Sequence, residues 1–385
     1  MKKKLYALSM GAFAFGMAEF IMMSILPDAA QGLNITISKA GNLIASYAFG
    51  VCLGGPLLIA LTRNMKLRSI LAILLLIFMF GSVLTALTTN YWVTIAGRFI
   101  SGLPHGAFFG VAAIVANKIS QEGKGTTAVA IVMMGMTLAN LLGVPLGNLL
   151  SHYISWRFLF IFNGFIGAVA IFLIYKWLPD FSALPKTSIL GQFKFLKNIN
   201  PWLLIMVTVL LNTGIFCWYS YINPFLTNVS NINASYMPFM MVVSGGSMCI
   251  GNLIGGRLSD RFSPKKAIIF MQIVLVLALL SLFLFGNNIY ITLTMLAIAA
   301  GCFFGFSSPI QQLFIQNSKG GEMMGGALAQ LAFNLGNAIG AIVGGITVIR
   351  SGQDYKYTAL VGAIWAISAI IVFVIFKTMN RQKSL

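Results

Sequence analysis

Glu19 is the residue in this chain whose position most clearly demands a chemical role. The chain has seven acidic residues, and six of them, Asp28, Glu122, Asp180, Asp260, Glu322 and Asp354, fall in loops or at the ends of apolar segments. Glu19 alone falls in the middle of one. An ionised carboxylate at the centre of a bilayer costs about 3 kcal/mol on insertion scales, so Glu19 must face the protein interior, find a partner or carry a proton. A carboxyl group that gains and loses a proton in such a place suits a proton-driven carrier. The plainer alternative is a neutral acid hydrogen-bonded between helices. Arg98 is a second intramembrane charge. It keeps its charge, so it can attract an anion, act on a neighbouring carboxyl, bond backbone carbonyls, or snorkel to a nearby surface. His105 lies about two helical turns beyond Arg98, next to Pro104, and imidazole exchanges protons near neutral pH. Donating a single structural hydrogen bond is its alternative role.

The second half has no acid within an apolar segment. It offers Asn212, Trp218, Tyr219, Tyr221, Asn223, Gln311, Gln312, Asn334 and Asn337. Aromatic faces and amides suit a neutral or mixed polar and apolar ligand such as a sugar, a nucleobase or an amphiphilic drug. The expected substrate contacts are Asn212, Trp218, Tyr219, Gln311 and Asn334, together with Glu19 and His105. Tyr221 and Trp202 read as interface anchors. The sequence contains no phosphate-cradling GxxxxGK[ST], no HExxH and no nucleophile elbow, so neither an ATP-driven pump nor a membrane enzyme finds support. Cys52, Cys217, Cys249 and Cys302 lie in apolar segments without pair spacing, so no disulfide framework, metal site or cofactor is expected. An ion gradient is then the expected source of energy.

These side chains need helices in a membrane to position them. Of the 385 residues, 58% are hydrophobic and 8% charged, with a mean hydropathy of +0.90, far from soluble domains. Apolar segments long enough to span a bilayer recur at residues 5–26, 40–62, 69–88, 92–116, 127–150 and 157–178, and again at 202–227, 236–258, 266–286, 289–316, 323–348 and 356–378,. Lipid leaves backbone groups unpaired in anything but helices and closed barrels, and these segments are too continuous for barrel strands. Lys2, Lys3, Lys4 and the Ala12-Phe13-Ala14 stretch imitate a signal peptide, but the apolar run continues to Ile25 and reads as a first spanning helix. The expectation is an all-α polytopic membrane protein with twelve transmembrane helices in two six-helix bundles: residues 1–178, a linker at 179–200 containing Pro185, and residues 201–385.

The formal charge of +18 is spread in small groups between apolar segments, which fits the positive-inside rule and not a nucleic-acid surface. That pattern puts both termini on the cytoplasmic side of a bacterial inner membrane, with a lipid bilayer, protons and a small molecule as partners; a monomer suffices. An offset of 197 residues relates the halves: Pro27 to Pro224, the Arg63 loop to the Asp260 loop, and Asn140, Gly143 and Gly147 to Asn337, Gly340 and Gly344. Parallel repeats of this kind place a substrate site at their interface near the bilayer midplane. Gly143 and Gly147 provide a small packing face on the fifth helix, and Pro145 should kink it, so this stretch serves packing, a hinge, or both.

The Gly256 to Phe262 loop, the Arg98 to Gly106 and Gly143 to Gly147 stretches and the residues from Ala18 to Asp28 together resemble the Major Facilitator Superfamily, and within it the drug/proton antiporter branch that includes arabinose-, sugar- and purine-efflux permeases. Gly256-Arg257-Leu258-Ser259-Asp260-Arg261-Phe262, followed by Lys265-Lys266, is similar to the superfamily's interhelical signature loop. Arg98-Phe99-x-x-Gly102-x-x-x-Gly106 is similar to the branch's fourth-helix motif, and Gly143-Val144-Pro145-x-Gly147 to its fifth-helix antiporter motif. Ala18-Glu19-Phe20 through Pro27-Asp28, and Ser101 through Gly106, resemble the arabinose-efflux subgroup. The resemblance implies proton-coupled antiport by alternating access, a role for Arg98 in the proton step, first and fourth helices that line one cavity so that Glu19 and His105 come within reach, and a conformational latch at Gly256, Asp260 and Arg261. In the first-half loop the usual Asp position is Arg63, which leaves the latch to the second half. Symport or facilitated uptake on the same fold is the alternative, and a non-transporting scaffold or signalling protein a remote one.

Overall fold

The computed structural model of the chain contains, among the described residues, twelve helices that are long and apolar enough to cross a bilayer. They are α1 (Lys2–Met23), α2 (Lys39–Thr62), α3 (Leu67–Leu87), α4 (Tyr91–Ile119), α5 (Gly125–Ser151), α6 (Trp156–Trp177), α7 (Ile199–Tyr219), α8 (Met237–Arg261), α9 (Pro264–Phe285), α10 (Ile289–Gln316), α11 (Glu322–Arg350) and α12 (Lys356–Met379). The structure describes residues 2–35, 37–151, 153–181 and 188–382, and no strand occurs among them. Pro185, Lys186 and Lys383, which entered the expected linker and charge pattern, lie outside the described residues. The twelve helices coincide with the twelve apolar segments, so the all-α membrane fold stands.

Local sequence accounts for where helices start. Asn90 caps α4 by accepting from the Trp92 and Val93 backbone N–H groups at 2.9 and 3.3 Å. Asn288 does the same for α10 with Tyr290 and Ile291 at 3.0 and 3.3 Å. Ser263 caps α9, with Pro264 in the first turn, where a missing N–H costs nothing. The 197-residue offset also appears in the backbone: Asn34 and Asn231 sit at φ 52° and 53°, and Gly123 and Gly320 at φ 73° and 78°. Each pair is a matched left-handed turn, a conformation open to Gly and tolerated by Asn.

Contacts divide the chain into two compact units, residues 1–195 with 318–331 and residues 196–317 with 332–385. This division departs from an even split at the connector, because the first turns of α11 are counted with the first unit. In that unit Gly110 of α4 lies against the backbone of Met323 and Ala327, and a side chain at 110 would hold the two helices apart. Within the first unit α4 packs against α2 and α3, and α1 against α5 and α6. Within the second, α7 packs on α12 and α8 on α10. Gly251 and Gly255 of α8 face the backbone of Gly301 and Gly305 of α10, the close approach that small residues allow between membrane helices.

α5 is interrupted by a π-helical turn at Ala139–Gly143, where the Val144 N–H reaches the Ala139 carbonyl. Pro145 follows immediately. It has no N–H to donate and its ring crowds the carbonyl four residues earlier, and a wide turn relieves both defects. The loop between α2 and α3 is held differently from its second-half counterpart. Asp180, past the end of α6, accepts a 2.6 Å bond from Lys66 and lies 3.8 Å from Arg68. The Arg68 guanidinium also donates to the Leu178 carbonyl at 3.4 Å. The Lys66 bond, with the positive charge of Lys66 and Arg68, holds the Asp180 carboxyl below its ordinary value.

Two outcomes follow for stability. Gly255→Ala should overpack the α8–α10 contact by about 1–3 kcal/mol and lower the melting temperature in detergent, whereas Gly246→Ala, with open space around it, should leave it unchanged. Because the Asp180 pKa is depressed in the folded chain, its contribution is present above the ordinary carboxylate pKa and is lost as pH falls through the lowered value. Asp180→Asn should therefore melt slightly below the parent at neutral pH. The difference should close in acid.

Candidate functional site

α1 delivers Glu19 to the interior because it packs on both α5 and α6. Gly16 of α1 lies against the Met136 backbone, and Gly147 of α5 against Ile21. Met17, Ile21, Met22, Ile25, Trp156, Leu159 and Phe160 form an apolar cluster beside it. Glu19 is 8% exposed, and Arg98, His105 and Tyr47 are 0, 0 and 2% exposed. α4 contributes Arg98 and His105 from one face, two turns apart as expected. α2 contributes Tyr47, whose backbone carbonyl lies against Gly102. The absent side chain at 102 lets α2 come close enough for the Tyr47 ring to lie 5.9 Å, centroid to centroid, from His105.

The polar geometry is specific. His105 Nε2 lies 3.8 Å from Glu19 Oε2, longer than a hydrogen bond. Neither atom has a hydrogen-bond partner among the described residues. On its other side, His105 Nδ1 is 2.9 Å from the Tyr47 hydroxyl, which is also 3.3 Å from the Phe15 carbonyl. The rings of Phe15 and Phe109, at 5.5 and 5.0 Å, close around the imidazole.

Arg98 does not snorkel. Its Nη1 donates to the Ala18 carbonyl at 2.8 Å and its Nε to the Leu43 carbonyl at 3.1 Å. The guanidinium stacks over Tyr47 and Phe160, 4.5 and 5.5 Å from the ring centroids. It thus binds α4 to the backbones of α1 and α2 and places its charge beside the peptide of Glu19 without touching the carboxylate. A fixed cation, a carboxyl group and an imidazole in one apolar enclosure can hold and exchange a proton.

Glu19, Arg98 and His105 are brought together in the first unit, while the other expected contacts belong to the second. Asn212 is buried and donates to the Thr208 carbonyl of its own helix at 2.8 Å, leaving Oδ1 without a partner among the described residues. Trp218 is fully buried against Phe225, with its indole N–H unpaired among the described residues. The Tyr219 hydroxyl lies 3.0 Å from Ser244 Oγ, and its ring sits 6.1 Å from both Phe216 and Phe303. Gln311 is buried, and Asn334 is half-buried on α11. Gly256 is buried, Asp260 half-buried and Arg261 exposed at the end of α8, with the Arg261 guanidinium 5.4 Å from the Phe262 ring. Gly143 and Gly147 face α1 through Met17 and Ile21. Tyr47 and the aromatic pair Phe216 and Phe303 were missed in the sequence, where they read as membrane-filling aromatics. The offset carries a clue to Tyr47: position 244 on the matching helix is Ser, so both halves carry a hydroxyl there.

Two relatives of this chain match it over nine-tenths of its length or more. It is 39% identical over 384 residues to "Putative transporter AraJ" of Escherichia coli K12, covering 100% of this chain and 97% of that protein. It is 26% identical over 357 residues to a "Probable sugar efflux transporter" of Helicobacter pylori J99, covering 91% and 90%. The crystal structure of the E. coli fucose:proton symporter FucP superposes with a TM-score of 0.76 at 16% identity, over 97% of this chain and 98% of that one, a likeness of fold. The family model described as Major Facilitator Superfamily matches residues 8–329. With two sets of six spanning helices, a backbone that repeats at 197 residues and this match over most of its length, the chain belongs to the Major Facilitator Superfamily of membrane transporters.

Proposed function

We propose that this transporter exports a small organic molecule in exchange for protons, with Glu19 as the proton-carrying group. The observation that carries this reading is the Glu19 carboxyl, buried in α1 and facing His105 Nε2 at 3.8 Å. Burying an ionisable group that does no work is costly, and this one stands beside a second group able to exchange protons. Export is supported by the name of the Helicobacter relative and by the fifth-helix stretch Gly143 to Gly147. A proton and a substrate that favour different conformations of the carrier exchange for one another through their differential affinities.

Within this reading the residues divide by task. Arg98 tethers α1 and α2 to α4 and keeps the Glu19 enclosure assembled. In the second unit Tyr219, Asn212, Trp218, Gln311 and Asn334 furnish aromatic and amide contacts for a sugar, nucleobase or amphiphilic drug; in the first, Glu19 and His105 are the expected substrate contacts. The π turn and Pro145 give α5 a point of flexure, and Gly256, Asp260 and Arg261 form the latch of the second half. The Lys and Arg groups between the helices support a topology with both termini at the cytoplasmic face of the inner membrane, by the positive-inside rule.

The reading is tested with purified protein in liposomes containing a pH-sensitive dye and challenged with panels of sugars, purines and cationic drugs. Substrate-dependent proton movement is expected in the parent and should fall to the level of empty liposomes in Glu19→Gln. Transport without proton movement, or normal coupling in Glu19→Gln, overturns it in favour of a uniporter. Arg98→Gln removes two charge-assisted bonds worth about 1.5–3 kcal/mol each. Its melting temperature in detergent should fall well below the parent's, with Arg98→Lys in between because an ammonium cannot reproduce the guanidinium fork.

A further inference from the structure

We propose that Tyr47 is a positioning residue that reads the protonation state of Glu19 through the tautomer of His105. The inference rests on Glu19 being the proton-carrying group, and it starts from counting hydrogens. Tyr47 has one hydroxyl hydrogen and two acceptors in reach, His105 Nδ1 at 2.9 Å and the Phe15 carbonyl at 3.3 Å. It can serve only one of them. A neutral imidazole likewise carries one hydrogen, on Nδ1 or on Nε2.

The two choices are locked together. When Tyr47 donates to Nδ1, the imidazole hydrogen is on Nε2 and points at Glu19, which suits a carboxylate. When Tyr47 donates to Phe15, Nδ1–H donates to the tyrosine oxygen. Nε2 is then a bare acceptor facing Glu19, which suits a carboxylic acid. Passing from the first state to the second takes up one proton: Glu19 gains it, while His105 and Tyr47 each keep one hydrogen. A ring flip cannot substitute for the tautomer change, because Phe15, Phe109 and Tyr47 enclose the imidazole.

The far end of this chain of groups is a backbone carbonyl of α1. Phe15 precedes Glu19 by four residues, so its carbonyl is the one that Glu19 N–H bonds in a regular helix. Uptake of a proton on Glu19 therefore adds a bond from α2 to α1 one turn away, and release removes it. The other ionisable neighbour is Arg98, engaged with the Ala18 and Leu43 carbonyls. α5 carries no ionisable side chain, α2 adds only Lys39 and Cys52, α3 only Arg68, and α6 only Arg157, Tyr175 and Lys176 near its ends.

The test is nitrogen-15 NMR of labelled histidine in the full-length protein. The chain has two histidines, so His152→Gln leaves a single imidazole to observe. As the sample is taken from alkaline to acid pH, the hydrogen should move from Nε2 to Nδ1 when Glu19 takes up its proton, seen as an exchange of the two nitrogen resonances. Glu19→Gln and Tyr47→Phe should each abolish that exchange. One tautomer throughout in the parent, a doubly protonated imidazolium, or an exchange that survives in Tyr47→Phe overturns the proposal. The parent titration decides even if a variant fails to fold. Loss of proton-coupled flux in Glu19→Gln with an unchanging tautomer in the parent rejects the relay and leaves proton coupling by Glu19 intact, whereas unaltered flux in Glu19→Gln rejects the coupling itself.

Discussion

Lipid offers no hydrogen bonds, and that single fact organises this molecule. A polar atom within a spanning helix is costly unless the chain itself supplies a partner. Arg98 shows the solution at its most demanding, with a guanidinium that is fully buried and held through Nε and Nη1 by carbonyls that already serve their own helices, while Nη2 has no hydrogen-bond partner among the described residues. Glycines make this reachable. Where Gly102 lies under the Tyr47 carbonyl and Gly255 under Gly305, backbones approach closely enough for side chains of ordinary length to bridge three helices.

The fold was largely legible in the sequence because the same constraint writes itself into composition. Spans of unbroken apolar residues, cap residues such as Asn90 and Asn288, and an offset repeating from Pro27 to Pro224 are all local or periodic signals. The candidate site was legible only in part. Glu19 and Arg98 stand out because a charge in an apolar segment is rare, and His105 because of its titratable ring. Tyr47 did not stand out, since one tyrosine among many aromatics carries no mark until α2 is packed on α4. The distinction between snorkelling and carbonyl bonding for Arg98 likewise needed tertiary structure. The π turn at Ala139–Gly143 leaves no signature beyond Pro145, because it relieves strain that exists only once the helix is formed.

The two halves share the scaffold and not the charges. At the 197-residue offset Glu19 corresponds to Phe216, Arg98 to Met295 and His105 to Cys302, while the turns at Asn34 and Asn231 keep nearly the same φ. Phe216 packs on Phe303 with ring centroids 5.2 Å apart, so an aromatic contact occupies the place that the carboxyl holds in the first half.

The tether between Arg98 and the Ala18 carbonyl joins residues 80 apart in the chain. At about 5–20 residues per second, a ribosome making this protein needs roughly 4–16 s to reach Arg98 after passing Ala18. Throughout that interval the nascent α1 has a carboxyl group and none of the α4 atoms that later surround it. It must enter the bilayer with Glu19 already protonated or wait at the insertion machinery until α4 arrives. The order in which the helices are synthesised therefore makes assembly of the first unit sensitive to how long translation pauses between α1 and α4.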